Sequence, residues 1–477
     1  MSKIAASVDP ASDLTASYLR AVGAAEGLMK IQPDGSVKPE LAVSVTNDDP
    51  LTWTVKLDPK RTFWSGAPIT ADAVAASLNR MKDVSSLGAT QVEGVTMQVV
   101  DDSTLRLKTK TPRPAMPYAL AHYQLVVHNV KAYGNTTGSV DVKNADLTGP
   151  YRLTAFNTDR GMTLKANDTW WGGKPGYQSV EVKAVGDSDA RAELALNGQA
   201  DVIGDFPAER AKELGGSAAK LVATSAANTV AVYLNPKSPR TKALSDVRVR
   251  RALAVGVDRA GLVDLVASGL VKPAGSWLST SPVFADAITA KHSYDPKAAA
   301  RLLDEAGWAL ANGVRSKDGK PLTLRLLTFG AEKADGEVLQ AQWGKLGVTV
   351  EVRHVENTAV AEAIKSGDWD MVIQAWTTLG DHAALIAGQI GPDGSANHAG
   401  IVPAKAAALL QRANSDPSPE QRRNAIIALD GLITQEVPLV PLHPRAVTSA
   451  VAQGVSGFVA HPLQYETLVT GALRPAQ

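Results

Sequence analysis

An α/β protein of more than one lobe is predicted by two observations. Short strand-like runs alternate with helical segments across Pro, Gly and Asp turns, and 477 residues exceed the size at which a single hydrophobic core keeps growing. Thr70 precedes Ala71-Asp-Ala-Val-Ala-Ala-Ser-Leu78, which places a hydroxyl N-cap before apolar residues at helical spacing. The segment Asp189–Gly198 reads as a helix leading into Gln199-Ala-Asp-Val202. Asp295-Pro296 opens another helix that runs to Gly307, with proline in its first turn. Leu322–Thr328 and Val348–Arg353 alternate as strands around a helical region at 334–346, which makes a βαβ unit. Asp370–Trp376 is an apolar strand that ends in a tryptophan and passes into the polar, glycine-containing loop Thr377–His382.

Composition narrows the function classes. With 49 basic against 48 acidic residues, nothing draws the chain to a polyanion or a charged membrane, so no nucleic-acid partner is expected. The chain has no cysteine, which excludes disulfides, thiol catalysis and cysteine-ligated zinc. It has no uninterrupted apolar run of the ~18 residues that a spanning helix needs.

Catalytic patterns are missing as well. The histidines are His122, His128, His292, His354, His382, His398, His443 and His461, and no two have the spacing of helical metal ligands. Neither a nucleophile elbow nor a phosphate-binding glycine loop is present. No enzyme activity, cofactor or metal site is therefore expected.

Several motifs, in order along the chain, resemble the peptide/nickel family (family 5) of extracytoplasmic solute-binding proteins that feed ABC importers. Gly27–Ala42 is similar to an N-terminal hairpin of that family, and Trp53–Leu57 with Phe63–Asp72 to the strand and turn after it. Asp146-Leu-Thr-Gly-Pro-Tyr-Arg-Leu153 and Asn167-Asp-Thr-Trp-Trp-Gly-Gly-Lys-Pro175 carry its two turn signatures. Leu234-Asn235, Asp246–Leu253, Val257-Asp-Arg259, Tyr294–Leu303 and Ala306-Gly-Trp308 complete the series.

The resemblance implies a two-lobed periplasmic-binding-protein fold, type II-like, with a hinge between the lobes. Residues 1–37, 149–237 and 446–477 would form lobe I, 38–148 an extra subdomain of it, and 238–445 lobe II. The chain would cross between lobes near Asn235-Pro236 and near Pro441–Pro444, where proline limits twisting or merely ends a strand.

By the same resemblance a small ligand, such as a short peptide, an opine or a nickel or other metal chelate, is delivered to a membrane permease by a monomeric protein outside the cytoplasm. Met1-Ser-Lys resembles a mature start, as expected of a processed form or of a lipoprotein without its anchor. Trp376 would stack on the ligand or lie in the core, with Thr377 and His382 beside it, and Asp381 would meet a cation or cap its loop. Tyr18 and Arg20 align with the cleft-lining segment of the first lobe, where Arg20 would hold a carboxylate bidentately. The nickel-chelate branch carries an arginine that grips the chelator's carboxylate where this chain has His122, Tyr123 or Gln124, so either Arg20 substitutes for it or the ligand lacks that carboxylate. His443 and Arg445 fall at the second crossing, as ligand contacts or as hinge residues. A ligand sensor on the same fold, or a hydrolase, are the competing functions.

Overall fold

The computed structural model describes residues 1–5, 7–133, 140–463 and 468–476. Its contacts divide the chain into two compact units, Met1–Thr224 with Val447–Gln477, and Ser225–Ala446.

In the first unit, helix Thr15–Ala21 precedes a hairpin of Met29–Ile31 and Val37–Pro39. A four-stranded antiparallel sheet follows, in the order Ala42–Asp49, Thr52–Leu57, Thr104–Thr109, Val95–Asp101. Helix Ala71–Val84 packs on this sheet, and its predicted cap is present, with Thr70 Oγ1 accepting from Ala73 N at 3.2 Å. A buried bidentate pair ties that helix to the N-terminal segment: Arg80 Nη1 and Nη2 donate to the two carboxylate oxygens of Asp9 at 2.9 and 2.7 Å. Two three-stranded sheets and a short antiparallel pairing of Val455–Ser456 with Arg474–Pro475 complete the unit. One joins Tyr151–Asn157, Gly161–Ala166 and Ser179–Lys183, and the other Val202–Gly204, Ala446–Ala452 and Ala219–Ser225.

The Gly149-Pro150-Tyr151 turn has a steric explanation. Gly149 N and Tyr151 N donate to Ala24 O and Gly23 O, both at 3.0 Å, and a Cβ on Gly149 would lie 2.3 Å from Gly23 O. Only glycine allows two backbones to approach so closely.

The second unit is built on a five-stranded mixed sheet in the order Thr349–His354, Thr323–Thr328, Met371–Thr377, Asn228–Leu234, Leu439–His443. The predicted βαβ unit is there: Thr323–Thr328 pairs in parallel with Thr349–His354, and helix Lys333–Gly344 connects them. Helices cover both faces, so successive residues of one strand enter different cores. Val230, Val232 and Leu234 pack in one, and Ala231 and Tyr233 in the other. Helix Pro296–Glu305 begins as read from the sequence, Asp295 Oδ1 accepting from Ala298 N at 2.8 Å.

The chain enters this unit earlier than the motifs imply. Asn228–Leu234, expected in lobe I, is an interior strand of the second unit's sheet, between Met371–Thr377 and Leu439–His443. A strand this apolar must be covered on both faces, so the crossing has to precede it. Pro236 therefore follows a strand end, and Pro441 sits in a strand at the sheet margin, where a missing N–H costs no ladder bond.

Candidate functional site

One edge of the second unit's sheet collects polar and aromatic side chains. Thr323–Thr328, Thr349–His354 and Met371–Thr377 run parallel and finish there, and the antiparallel Asn228–Leu234 starts there with Asn228 opposite Thr377. Carboxyl ends of strands in such sheets open onto ligand-binding crevices.

Trp376 stands at this edge, half-buried against the underlying core. Its Nε1 donates to Gln374 Oε1 at 3.3 Å, and the same oxygen meets His398 Nε2 at 2.9 Å. Burial lowers the pKa of His398, favouring the neutral ring whose Nε2–H donates to that oxygen. Thr377 is exposed, with its hydroxyl turned to Ala227 O at 3.2 Å. Beneath it Thr229, Thr280 and Thr378 form a hydroxyl chain. Thr229 donates to Trp277 O at 2.7 Å, so Thr280 must donate to Thr229 at 2.7 Å and Thr378 to Thr280 at 3.0 Å.

The neighbouring candidates have structural partners. Asp381 caps helix His382–Ile390, its Oδ1 accepting from Ala384 N at 3.1 Å. His382 is buried with its ring 4.7 Å from Phe284, and burial pushes its pKa down to about 4. Its Nε2 lies 3.3 Å from Ser281 Oγ. His443 and Arg445 reach the same sheet edge but are engaged by carboxylates at the start of helix Lys333–Gly344. His443 Nε2 is 2.7 Å from Asp335 Oδ1 and its Nδ1 is 2.8 Å from Pro444 O, while Arg445 pairs with the buried Glu332. These contacts fasten the last residues of the unit to a helix N-terminus, where acidic side chains are favoured.

In the first unit Arg20 is buried and bonded at 2.9 Å to Glu40, with a longer contact to Met29 O at 3.5 Å. Glu40 also accepts from Gly27 N at 2.8 Å, and a Cβ on Gly27 would lie 2.7 Å from Arg20 Nη1. The carboxylate that Arg20 was expected to take from a ligand is thus supplied by the chain itself. Tyr18 is half-buried against the first unit's core. His122 and Tyr123 stack at 4.2 Å after helix Met116–Leu120, and His122 Nδ1 accepts from Gln124 N at 3.3 Å. The Gln124 amide is fully buried, and neither of its polar atoms has a hydrogen-bond partner among the described residues. A solvent-free amide of this kind costs about 1–3 kcal/mol unless another molecule satisfies it.

Sequence reasoning missed Gln374, His398 and the threonine chain. Gln374 and Thr229 lie in strands that read as uniformly apolar, and His398 comes to Gln374 from a loop without periodicity. No local pattern marks any of them. No three histidine or acidic side chains converge as a metal site among the described residues, and no helix among them is long and apolar enough to cross a membrane.

Comparison with known proteins agrees with this architecture. Residues 36–397 match the family profile of bacterial extracellular solute-binding proteins, family 5. The nickel-binding periplasmic protein of Escherichia coli (strain K12) is 26% identical over 389 residues, covering 76% of this chain and 71% of the relative. The glutathione-binding protein GsiB of the same strain is 26% identical over 452 residues, covering 91% and 85%. The crystal structure of NikA from Brucella suis in complex with Fe(III)-EDTA shares the fold at a TM-score of 0.86 and 24% identity, covering 100% of this chain and 99% of that one. The chain therefore belongs to family 5 of the bacterial extracellular solute-binding proteins, the ligand-capturing components of ABC importers.

Proposed function

We propose that this protein, as a monomer, captures a compact ligand bearing an amine and a carboxylate, and releases it unaltered to its permease. Short peptides, opines and metal chelates have this chemistry. The observation that carries the proposal is the half-open indole of Trp376, fixed by Gln374 and His398 at a sheet edge that also offers the exposed Thr377. A rigid aromatic with neutral polar neighbours is the usual composition of a small-molecule site. Because no metal-binding cluster is present among the described residues, a metal cargo would bring its own ligands. Two relatives, named for nickel and for glutathione, fall within this range.

The test is native mass spectrometry with metal analysis on the same sample, followed by calorimetric titration of glutathione, an alanine dipeptide and a nickel–histidine complex. The proposal expects one of these to bind and to be recovered chemically unchanged. Failure of all three, or conversion of any of them, would reject it.

A further inference from the structure

The first unit holds a cavity of about 430 Å³ that uses none of the aromatic residues of the proposed cargo site. Its volume lies in the range of small-ligand pockets, ~300–1,000 Å³. Glu26, Lys30, Trp170, Trp171, Phe458 and Val459 line it. The polar part is Glu26, only 5% exposed. Trp170 Nε1 donates to its Oε1 at 3.1 Å, and Trp171 Nε1 contacts both of its oxygens at 3.1 Å. The apolar part is open, with Trp171 41% and Val459 59% exposed.

The walls are locked in place. Asn167 N donates to Pro150 O at 2.8 Å, which anchors the turn bearing both tryptophans to the Gly149-Pro150 turn. The Trp170 ring lies where side chains on Gly172 and Gly471 would be, 2.3 and 2.4 Å from their ideal Cβ positions. One face of Trp171 is covered by the Arg61 guanidinium, 3.9 Å from the ring centre.

We propose that this cavity binds a small organic cation, an alkyl- or arylammonium whose N–H groups bond to Glu26 and whose body lies against Trp171, Phe458 and Val459. A carboxylate offers about four lone-pair positions, and the indoles leave one for a further donor. Indole faces attract cations, as Arg61 already demonstrates on Trp171. The other charged groups nearby are largely engaged with one another. Arg20 is bonded to Glu40 at 2.9 Å, Arg61 donates to Glu40 O and lies 3.9 Å from Asp58, and Lys30 lies at the half-exposed rim 4.0 Å from Glu40. Among the described residues Glu26 is therefore the acceptor that remains for an entering ammonium.

This site titrates. Burial, and then the Glu40 carboxylate, push Glu26 up to about 8 against the pull of the two indole hydrogen bonds. The empty cavity at neutral pH thus favours the protonated acid, while an ammonium ligand binds the carboxylate. Binding must then release a proton, and affinity rises by about tenfold per pH unit below the Glu26 pKa.

The experiment is calorimetric titration of the intact protein with phenethylammonium, neutral 2-phenylethanol and anionic 3-phenylpropionate at pH 6.5 and 8, in buffers of differing ionisation heat. The expected result is binding of the cation at least tenfold tighter than the other two, strengthened at pH 8 and accompanied by proton release. Glu26→Gln keeps the acceptor for an indole and should lose the cation preference and the pH dependence. Val459→Lys, at the exposed mouth, should weaken the cation alone. Preference for the acid or the alcohol, a pH-independent affinity, an unchanged Glu26→Gln, or no binding by any probe would overturn the proposal. Trp376→Ala should leave cation binding intact, so this site and the cargo site fail separately.

Discussion

Arg20 in the first unit and Trp376 in the second are both ligand contacts by sequence resemblance, yet their surroundings differ. Arg20 is buried against Glu40 and the Met29 carbonyl. Trp376 stays half-open, its N–H directed along its own strand to Gln374. A charged side chain that could face a ligand is claimed first by the fold, because a buried charge without a partner is costly. An aromatic can face a ligand and contribute to its core at once. His443, Arg445 and Asp381 follow Arg20 in having protein partners.

The largest expected effect tests the Arg20 side of this contrast. Arg20→Met would strand Glu40 beside Glu26, and loss of one partner of a buried pair costs about 3–5 kcal/mol. Calorimetric unfolding should show a large drop in melting temperature, with cargo affinity of the folded protein within about twofold. A stable variant that no longer binds cargo would reverse the comparison.

Trp376→Ala should do the opposite. Truncating a central aromatic anchor costs about 2 kcal/mol or more of binding, so cargo affinity should fall well over tenfold. Stability should fall less than for Arg20→Met, because the indole is only half-buried.

Proton linkage separates the units next. His128 in the first unit and His382 in the second are both held down to about 4 by burial, with Arg80 adding to the effect at His128. Their unfolded forms take up protons first as pH falls below about 6.5, so stability of both units declines from there toward pH 4. Glu26 has the opposite sign. Its folded pKa lies above its unfolded one, so its contribution is greatest in acid and is lost as pH rises through about 8. Melting curves should therefore show a weakening between about pH 5 and 8, levelling off above 8, that Glu26→Gln removes, while His382→Gln softens the opposing decline below about pH 6.5. A slope unchanged by Glu26→Gln would contradict this assignment.

The smallest effect concerns Asp381. Removing a helix N-cap costs about 1 kcal/mol, so Asp381→Ala should lower stability by that order in denaturant titration and leave cargo affinity unchanged. A tenfold loss of affinity would make it a ligand contact instead.

Local features were legible in the sequence. The caps at Thr70 and Asp295, the βαβ unit and the strand ending in Trp376 depend on neighbours within a few residues, and all are present. Features set by long-range pairing were not. Arg20 meets Glu40 only because a hairpin folds back, and Glu26 meets Trp170 across 144 positions. The chain crossing was misplaced for a related reason: the destination of Asn228–Leu234 depends on which sheet covers its two faces. Motif order shows the architecture, but partner identity is a property of the folded chain.

The proposed holding of cargo at Trp376 rather than at the Arg20 cluster can be read directly from the half-buried Trp376 and the exposed Trp171. Hydroxyl-radical footprinting by mass spectrometry should be run with and without a saturating amount of whichever of glutathione, the alanine dipeptide and the nickel–histidine complex binds tightest. Strong protection of Trp376 with Trp171 unchanged is expected. Protection of Trp171 with Trp376 still reactive would contradict the proposal.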